Sequence, residues 1–434
     1  MKLKRVLGVL AVLMLVSIWA AACSSNSESN ETTEETEDGK EVLKVFWWGN
    51  EGRQERTLKA IAKFEEKYPH IKVEWEDASN SAYWIKIAMK TADQDMADVI
   101  QMDYKYIDEF VKRKLLLPLD ELVREDRIKL DDMDASSIQS GTVDGKLYGI
   151  VTGVNAPSYL YNPALFAKYN IEAPGEGYTY EDLLSIGRKL KEAAGNPDFY
   201  PIGSTSFDFS YYLRQRGASM YNPEGTGLGY SDDQLLVDFL TMQNQFIQEG
   251  LMAPDWLTSS LKGDKEQLIV KDLAAIHSIT SNNVVGYSNI AGKPFKLLPF
   301  PSYTGGKEGN FVKPSMFFSI SSYSEKQENA ALFIDFFLND ESANEDLRGE
   351  RGVPAVAGVR EHLMSILEEA EKEQYVYMEK VEQRSSPIDP PAPLVSGRVG
   401  TVFTKLEAQF KKGELTANEA AAKFREETAV IFAD

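Results

Sequence analysis

The stretch from Val42 to Asp103 constrains the fold more than any other part of the chain, because its hydrophobic period switches repeatedly between that of a strand and that of a helix. Val42-Leu43-Lys44-Val45-Phe46-Trp47-Trp48 is a short apolar run closed by Gly49-Asn50-Glu51-Gly52. Ile71, Val73 and Trp75 then alternate with Lys72, Glu74 and Glu76, as in a half-buried strand. Val99-Ile100-Gln101-Met102-Asp103 supplies a third strand. Between the first two, Leu58, Ile61, Phe64 and Tyr68 recur at helical steps; between the second and third, Tyr83, Trp84, Ile87, Ala88 and Thr91 do the same. Alternating strands and helices predict an α/β fold with a parallel sheet and crossover helices.

Ligands of such sheets sit outside the carboxyl ends of the strands. Here those ends carry Trp47-Trp48-Gly49-Asn50-Glu51, Asp77-Ala78-Ser79-Asn80 and Met102-Asp103-Tyr104. Aromatic faces beside carboxylates and amides suit a sugar, whose C–H faces stack while its hydroxyls donate and accept. At 434 residues the chain exceeds what one core supports, so two lobes are expected. A net charge of −20 argues against a nucleic-acid partner, which requires a basic face. With one cysteine and with His70, His277 and His362 far apart in sequence, neither a disulfide framework nor a metal centre assembles, and no cofactor is expected.

The chain opens with Lys2, Lys4 and Arg5, an apolar run from Val6 to Ala20, and Ala20-Ala21-Ala22-Cys23. This is the pattern of a secretory leader, and the run is shorter than the roughly 20 apolar residues of a spanning helix. Its end resembles a bacterial lipobox, with Ala20 where that pattern prefers leucine; the resemblance implies lipidation of Cys23 and a membrane anchor through it. Residues 24–40 are polar and acidic with no large apolar side chain, so residues 23–40 form a disordered tether.

Beyond the opening unit, Gly145 to Val151 reads as a hairpin feeding a strand that Gly153 and Pro157 interrupt, a candidate crossing between lobes. Asn162-Pro163 starts a helix, and Thr179 to Ala194 forms another that stops at Gly195. Phe207 to Arg214 is aromatic-rich, with Asp208, Tyr211 and Arg214 spaced to share one helical face. Gly225-Thr226-Gly227-Leu228-Gly229 is a turn and not a phosphate loop: no strand leads into it, and acids occupy the helix start beyond it. Leu273 to His277, Phe295 to Pro299 and Met316 to Ile320 are further strands, the first ending in Ser281-Asn282-Asn283. From Ser342 the chain is mostly helical, apart from Gly352-Val353-Pro354 and the proline run from Pro387 to Pro393.

Several segments together resemble the extracellular solute-binding proteins (family 1) of carbohydrate ABC importers, the maltose-binding-protein-like group. They are Phe46-Trp47-Trp48-Gly49 with Arg53, Phe64 to Pro69 before Ile71-Lys72-Val73, Tyr83-Trp84-Ile85-Lys86 and Asp98 to Asp103. Lys313 to Ile320, Gly349 to Pro354 and Asp389 to Pro393 resemble the branch that binds rhamnogalacturonan (pectin) oligosaccharides. The resemblance implies a two-lobe periplasmic-binding-protein fold of type II, each lobe a mixed sheet flanked by helices, with a ligand cleft and hinge between them. The expected division is a leader over 1–22, the tether over 23–40, one lobe from 41–153 with 298–346, and another from 154–297 with 347–434. Crossings are expected near Thr152–Asn155, Leu297–Pro299 and Asn344–Gly349.

Carried onto this chain, the resemblance implies that Trp47, Trp48, Asn50, Ser79, Asn80, Ser81 and Asp103 line one side of the cleft. Asn155, Tyr211, Arg214, Asn282 and Asn283 line the other. Trp48 and Tyr211 would stack on sugar rings, Asp103 and Asn282 would bond hydroxyls, and Arg53 or Arg214 would pair with a uronate carboxylate. For Trp47 a core role is an equal alternative, since it faces opposite to Trp48. The implied protein is a non-enzymatic monomer, lipid-anchored on the outer face of the cell membrane of a Gram-positive bacterium, delivering an oligosaccharide to ABC permease subunits. A secreted glycoside hydrolase using acids such as Glu51, Asp77 and Asp103, or a surface adhesin, are the alternatives from the residues alone.

Overall fold

The computed structural model describes Thr36, residues 39–204 and residues 207–433; the expected leader, Cys23 and most of the expected tether lie outside the described residues. The opening unit forms β1 (Glu41–Trp48), β2 (Ile71–Ala78) and β3 (Val99–Met102), with helices Glu51–Lys67 and Asn80–Ala92 between them. β1 lies parallel to both β2 and β3, in register from Glu41 opposite Ile71 to Trp48 opposite Ala78. The alternation of side chains along β1 decides what each face buries. Phe46 and Trp48 pack on Tyr83 of the second helix, while Trp47 packs on Trp75 of β2.

The chain continues through the hairpin β4 (Thr142–Val143) and β5 (Lys146–Leu147), turned at Asp144 and Gly145, both with positive φ. Next come β6 (Ile150–Asn155) and, after Ala156 alone, β7 (Pro157–Tyr161). β8 (Ile276–Thr280), β9 (Lys296–Leu298) and β10 (Lys313–Ile320) complete the strands. They form two separate sheets, β2-β1-β3-β10-β6 and β8-β7-β9, besides the β4–β5 hairpin. β10 runs antiparallel to β3 and β6, and β7 runs antiparallel to both its neighbours, so each sheet is fed by distant parts of the chain.

Buried apolar side chains gather into two clusters that β7 separates: Leu160 joins the cluster of the five-stranded sheet, and Tyr159 joins the other. The first contains Phe64 with Phe333 and Phe336 of helix Gln327–Asn339 in edge contact. The second packs helices Tyr180–Ala194, Phe209–Gln215, Gln234–Gln248, Ser396–Lys411 and Ala417–Ala433. The helix ends obey local chemistry. The Asn162 side chain caps Pro163–Lys168, and Thr179 and Asp182 form a reciprocal capping box. Gly195 closes that helix at φ 55°. Among the described residues no helix is long and apolar enough to cross a membrane.

One strand begins later than its sequence suggests. Leu273 and Ala275 are bends whose carbonyls serve other partners: the Tyr200 amide donates to Leu273, and the Asn162 amide to Ala275. The ladder with β7 starts only at Ile276, opposite Tyr161.

The β6–β7 passage is pinned tightly. The Ala156 amide donates to Ser281 Oγ, the Ser281 amide returns a bond to the Ala156 carbonyl, and the Tyr377 hydroxyl donates to the Pro157 carbonyl at 2.6 Å. Val154 and Val353 exchange two backbone bonds beside it. Here two backbones meet so closely that glycine is required. A Cβ on Gly153 would sit 2.6 Å from the Arg351 carbonyl oxygen, and one on Gly352, whose φ is 98°, would sit 2.8 Å from Asn155 Oδ1.

Candidate functional site

A cavity of about 1050 Å³ opens between structure attached to the five-stranded sheet and structure attached to the three-stranded one. On the first side it is bordered by residues following β3, from Tyr104 to Arg113, by Ser136 to Asp144 around helix Ala135–Ser140, and by Val154 on β6. On the second side stand the Pro223–Gly225 turn and the segment from Ser385 to Leu394. The Asp103 carboxylate positions the entry to the first side by accepting the Lys105 amide hydrogen bond at 2.8 Å.

The second side is a wall rich in proline, including Pro387, Pro390, Pro391 and Pro393. Proline locks φ and has no N–H, so this wall is stiff without a sheet ladder to hold it. Arg214, on helix Phe209–Gln215, does the holding. Its Nη1 donates to Asp389 at 2.6 Å, Nη2 to Ser386 Oγ at 2.6 Å and to the Pro387 carbonyl at 2.9 Å, and Nε to the Gly309 carbonyl at 3.0 Å. The guanidinium also lies 4.8 Å over the Phe311 ring. Asp208 caps the same helix by accepting the Tyr211 amide. From across the cavity the Tyr104 hydroxyl donates to the Asp389 carbonyl at 3.2 Å. Burial, and the Asp389 carboxylate after it, raise the Tyr104 phenol, so it remains a donor at neutral pH.

None of the residues expected to touch ligand is among those bordering the cavity, though Asp103 and Asn155 adjoin Tyr104 and Val154, which do. Trp47 is fully buried against Trp75. Trp48 is 7% exposed, its ring enclosed by Tyr83 at 5.1 Å and Trp84 at 5.6 Å. Asn50 caps helix Glu51–Lys67 by accepting the Arg53 amide. Arg53 binds Glu350 through Nε and the Trp48 carbonyl through Nη1. Glu350 also pairs with Arg351, a buried cation that donates to Gln101 and Thr57; Gln101 in turn donates to the Trp48 carbonyl. This network fixes the carboxyl end of β1. Desolvation lowers the Arg351 guanidinium to about 9, still charged at neutral pH.

Ser79 stands at the N-cap of helix Asn80–Ala92, and Asn80 and Ser81 are exposed in its first turn. Asn155 is buried, and its Oδ1 has no hydrogen-bond partner among the described residues. Tyr211 is buried, its hydroxyl donating to Asn310 Oδ1 at 2.8 Å and its ring edge-on to Phe300. Asn282 is half-buried and Asn283 exposed, in the turn Ser281–Asn283. Both arginines named for a uronate thus already serve protein carboxylates. Among the described residues no cluster of potential metal ligands occurs.

Tyr104 belongs to the strand-end set that the sequence offered; the bordering residues that sequence reasoning passed over run from Lys105 to Arg113 and from Ser136 to Asp144, with Pro223 and Glu224. The proline run carried a signal, because it interrupts an otherwise helical region, but nothing local said what it faces. Gly225 belongs to the turn recognised in sequence, and its place against Pro393 is a tertiary matter.

Comparison with known proteins places this geometry. The family model "bacterial extracellular solute-binding protein" matches residues 49–344, well over half the chain. The chain is 24% identical over 311 residues to the galactooligosaccharide-binding protein of Bacillus subtilis, covering 71% of this chain and 72% of that one. An extracellular solute-binding protein of family 1 from Alicyclobacillus acidocaldarius superposes with a TM-score of 0.78 at 29% identity, over 91% of this chain and 99% of the other. A periplasmic oligogalacturonide-binding protein from Yersinia enterocolitica, solved with saturated digalacturonic acid, superposes with a TM-score of 0.74 at 25% identity, over 90% and 98%. Two sheets joined by a pinned passage, with a cavity bordered from both, fit a protein that holds a solute between them, and this chain belongs to the bacterial extracellular solute-binding protein family.

Proposed function

We propose that this protein captures an oligosaccharide outside the cell and delivers it to the permease subunits of an ABC importer. The observation that carries the reading is the cavity between the two sheets. Its volume of about 1050 Å³ is at or above the upper end of ordinary small-molecule pockets, room for several sugar rings rather than one. Its two sides differ in the way a sugar chain requires. Prolines and Leu394 offer C–H surface, while serines, Gln139, Thr142 and charged groups opposite offer donors and acceptors. The carbohydrate named for the Bacillus relative and the oligogalacturonide named for the Yersinia structure support the same class, and a fragment of plant cell wall is the ligand we favour.

The lobes are divided as 41–153 with 298–346 and 154–297 with 347–434, and the ligand draws them together about the passage near Gly153. Asp103 and Asn155, which adjoin the bordering residues Tyr104 and Val154, reach the sugar from the edge of the cavity. Trp48, Tyr211 and Arg214 act from behind it, by shaping its walls. Cys23 carries the lipid and the polar tether lets the monomer move beside its permease, at the outer face of a Gram-positive membrane. Calorimetric titration against a panel of plant-wall oligosaccharides tests the function: saturable binding of at least one member is expected, and no heat across the panel would refute it.

A further inference from the structure

The charges around the cavity restrict which oligosaccharide fits it. Three cations border the cavity, Lys105, Lys112 and Arg113, against four carboxylates, Asp108, Glu109, Asp144 and Glu224. Two of the cations face acids one helical turn away: Lys112 pairs with Asp108 at 2.6 Å, and Arg113 with Glu109 at 3.2 Å. Behind the proline wall, Arg214 is consumed by Asp389 and by carbonyls. Lys105 lies with its ammonium 5.1 Å over the Tyr106 ring, and Asp144 and Glu224 add two further acids to the border. The whole chain carries −20, so the long-range field also disfavours an anion.

A bound uronate carboxylate loses water and must be repaid by a cation or several donors, or the penalty defeats binding. One lysine does not do this for a chain of uronates. An uncharged sugar meets no such cost, and its hydroxyls donate well to carboxylates such as Asp108 and Asp144. Resting on the reading of this cavity as an oligosaccharide site, we infer that the ligand is a neutral oligosaccharide, and that polyuronates are excluded by the charge balance of Lys105, Lys112 and Arg113 against the four acids.

Titration of the intact secreted protein with a neutral set (the tetrasaccharides of β-1,4-galactose, glucose, xylose and mannose, and α-1,5-arabinose) and with trigalacturonate separates the cases. At least one neutral sugar is expected to bind at least about tenfold more tightly than trigalacturonate. Its affinity should hardly change between about 50 and 500 mM salt. In Lys105→Met the preference for the neutral sugar over trigalacturonate should persist or widen. Trigalacturonate binding as tight as the best neutral sugar, in the wild type or in Lys105→Met, would overturn the inference. Binding of neither set would instead overturn the oligosaccharide reading on which the inference rests.

Discussion

The first strand ends in two adjacent tryptophans whose roles are decided by what packs on each face. Trp48 is held between Tyr83 and Trp84, so it contributes to the core of its sheet rather than offering a free face. Trp48→Ala is therefore expected to cost about 3–5 kcal/mol of stability, read from chemical denaturation, with sugar affinity of the folded fraction much less affected. Glu350 tells a related story, because it joins Arg53 to the buried Arg351. Glu350→Gln leaves a desolvated cation short of its counter-ion, and a loss of roughly 3–5 kcal/mol in the same measurement is expected. His277 supplies a pH dependence. Burial lowers its imidazole below the ordinary 6.5, so the native state holds it neutral where the unfolded chain would bind a proton. Its contribution is thus intact above the unfolded value and is lost as pH falls below about 6.5. The melting temperature of the wild type should drop more between pH 7 and 5 than that of His277→Gln.

Among the elements, the helices were the most legible in sequence. The Asn162 cap, the Thr179–Asp182 box and the Gly195 stop are interactions within a turn of each other, so the pattern of residues contains them whole. The passage from β6 to β7 was visible as a strand broken by glycine and proline, yet its reason lies elsewhere. Gly153 and Gly352 let the Val154–Val353 pair form, and those residues are far apart in the chain. Gly352→Ala meets both an unfavourable φ and the Asn155 side chain, so a loss exceeding about 1 kcal/mol is expected by thermal or chemical unfolding. If the passage is also the hinge, sugar affinity will change in this variant beyond what stability explains. Arg214 shows an element held by one residue: Asp208, Tyr211 and Arg214 were expected to share an exposed face, whereas only Asp208 is exposed, and Tyr211 and Arg214 turn toward Asn310 and Asp389. A helix of seven residues does not say which side its neighbours will cover.

At the scale of the whole molecule, closure is the behaviour to measure. A ligand that touches both sides of the cavity favours the form in which they approach, and the shift equals its differential affinity for that form. Small-angle scattering should show a smaller radius of gyration at saturation with the sugar that calorimetry identifies. An unchanged radius at saturation would count against closure.

What the sequence by itself determined is the local grammar: the strand–helix–strand opening, the two-residue and helical periods, the caps and stops, and the membership that these motifs announce. Each depends on neighbours within a few residues, where propensity and burial period leave a direct mark. Only the tertiary structure decided which residues border the cavity and which cations are free. Arg214 and Asp389 are separated by 175 positions, and nothing near either one records that the two charges will cancel. A long-range pair is set by how the sheets stack and where the chain returns, and that geometry has no local period to read.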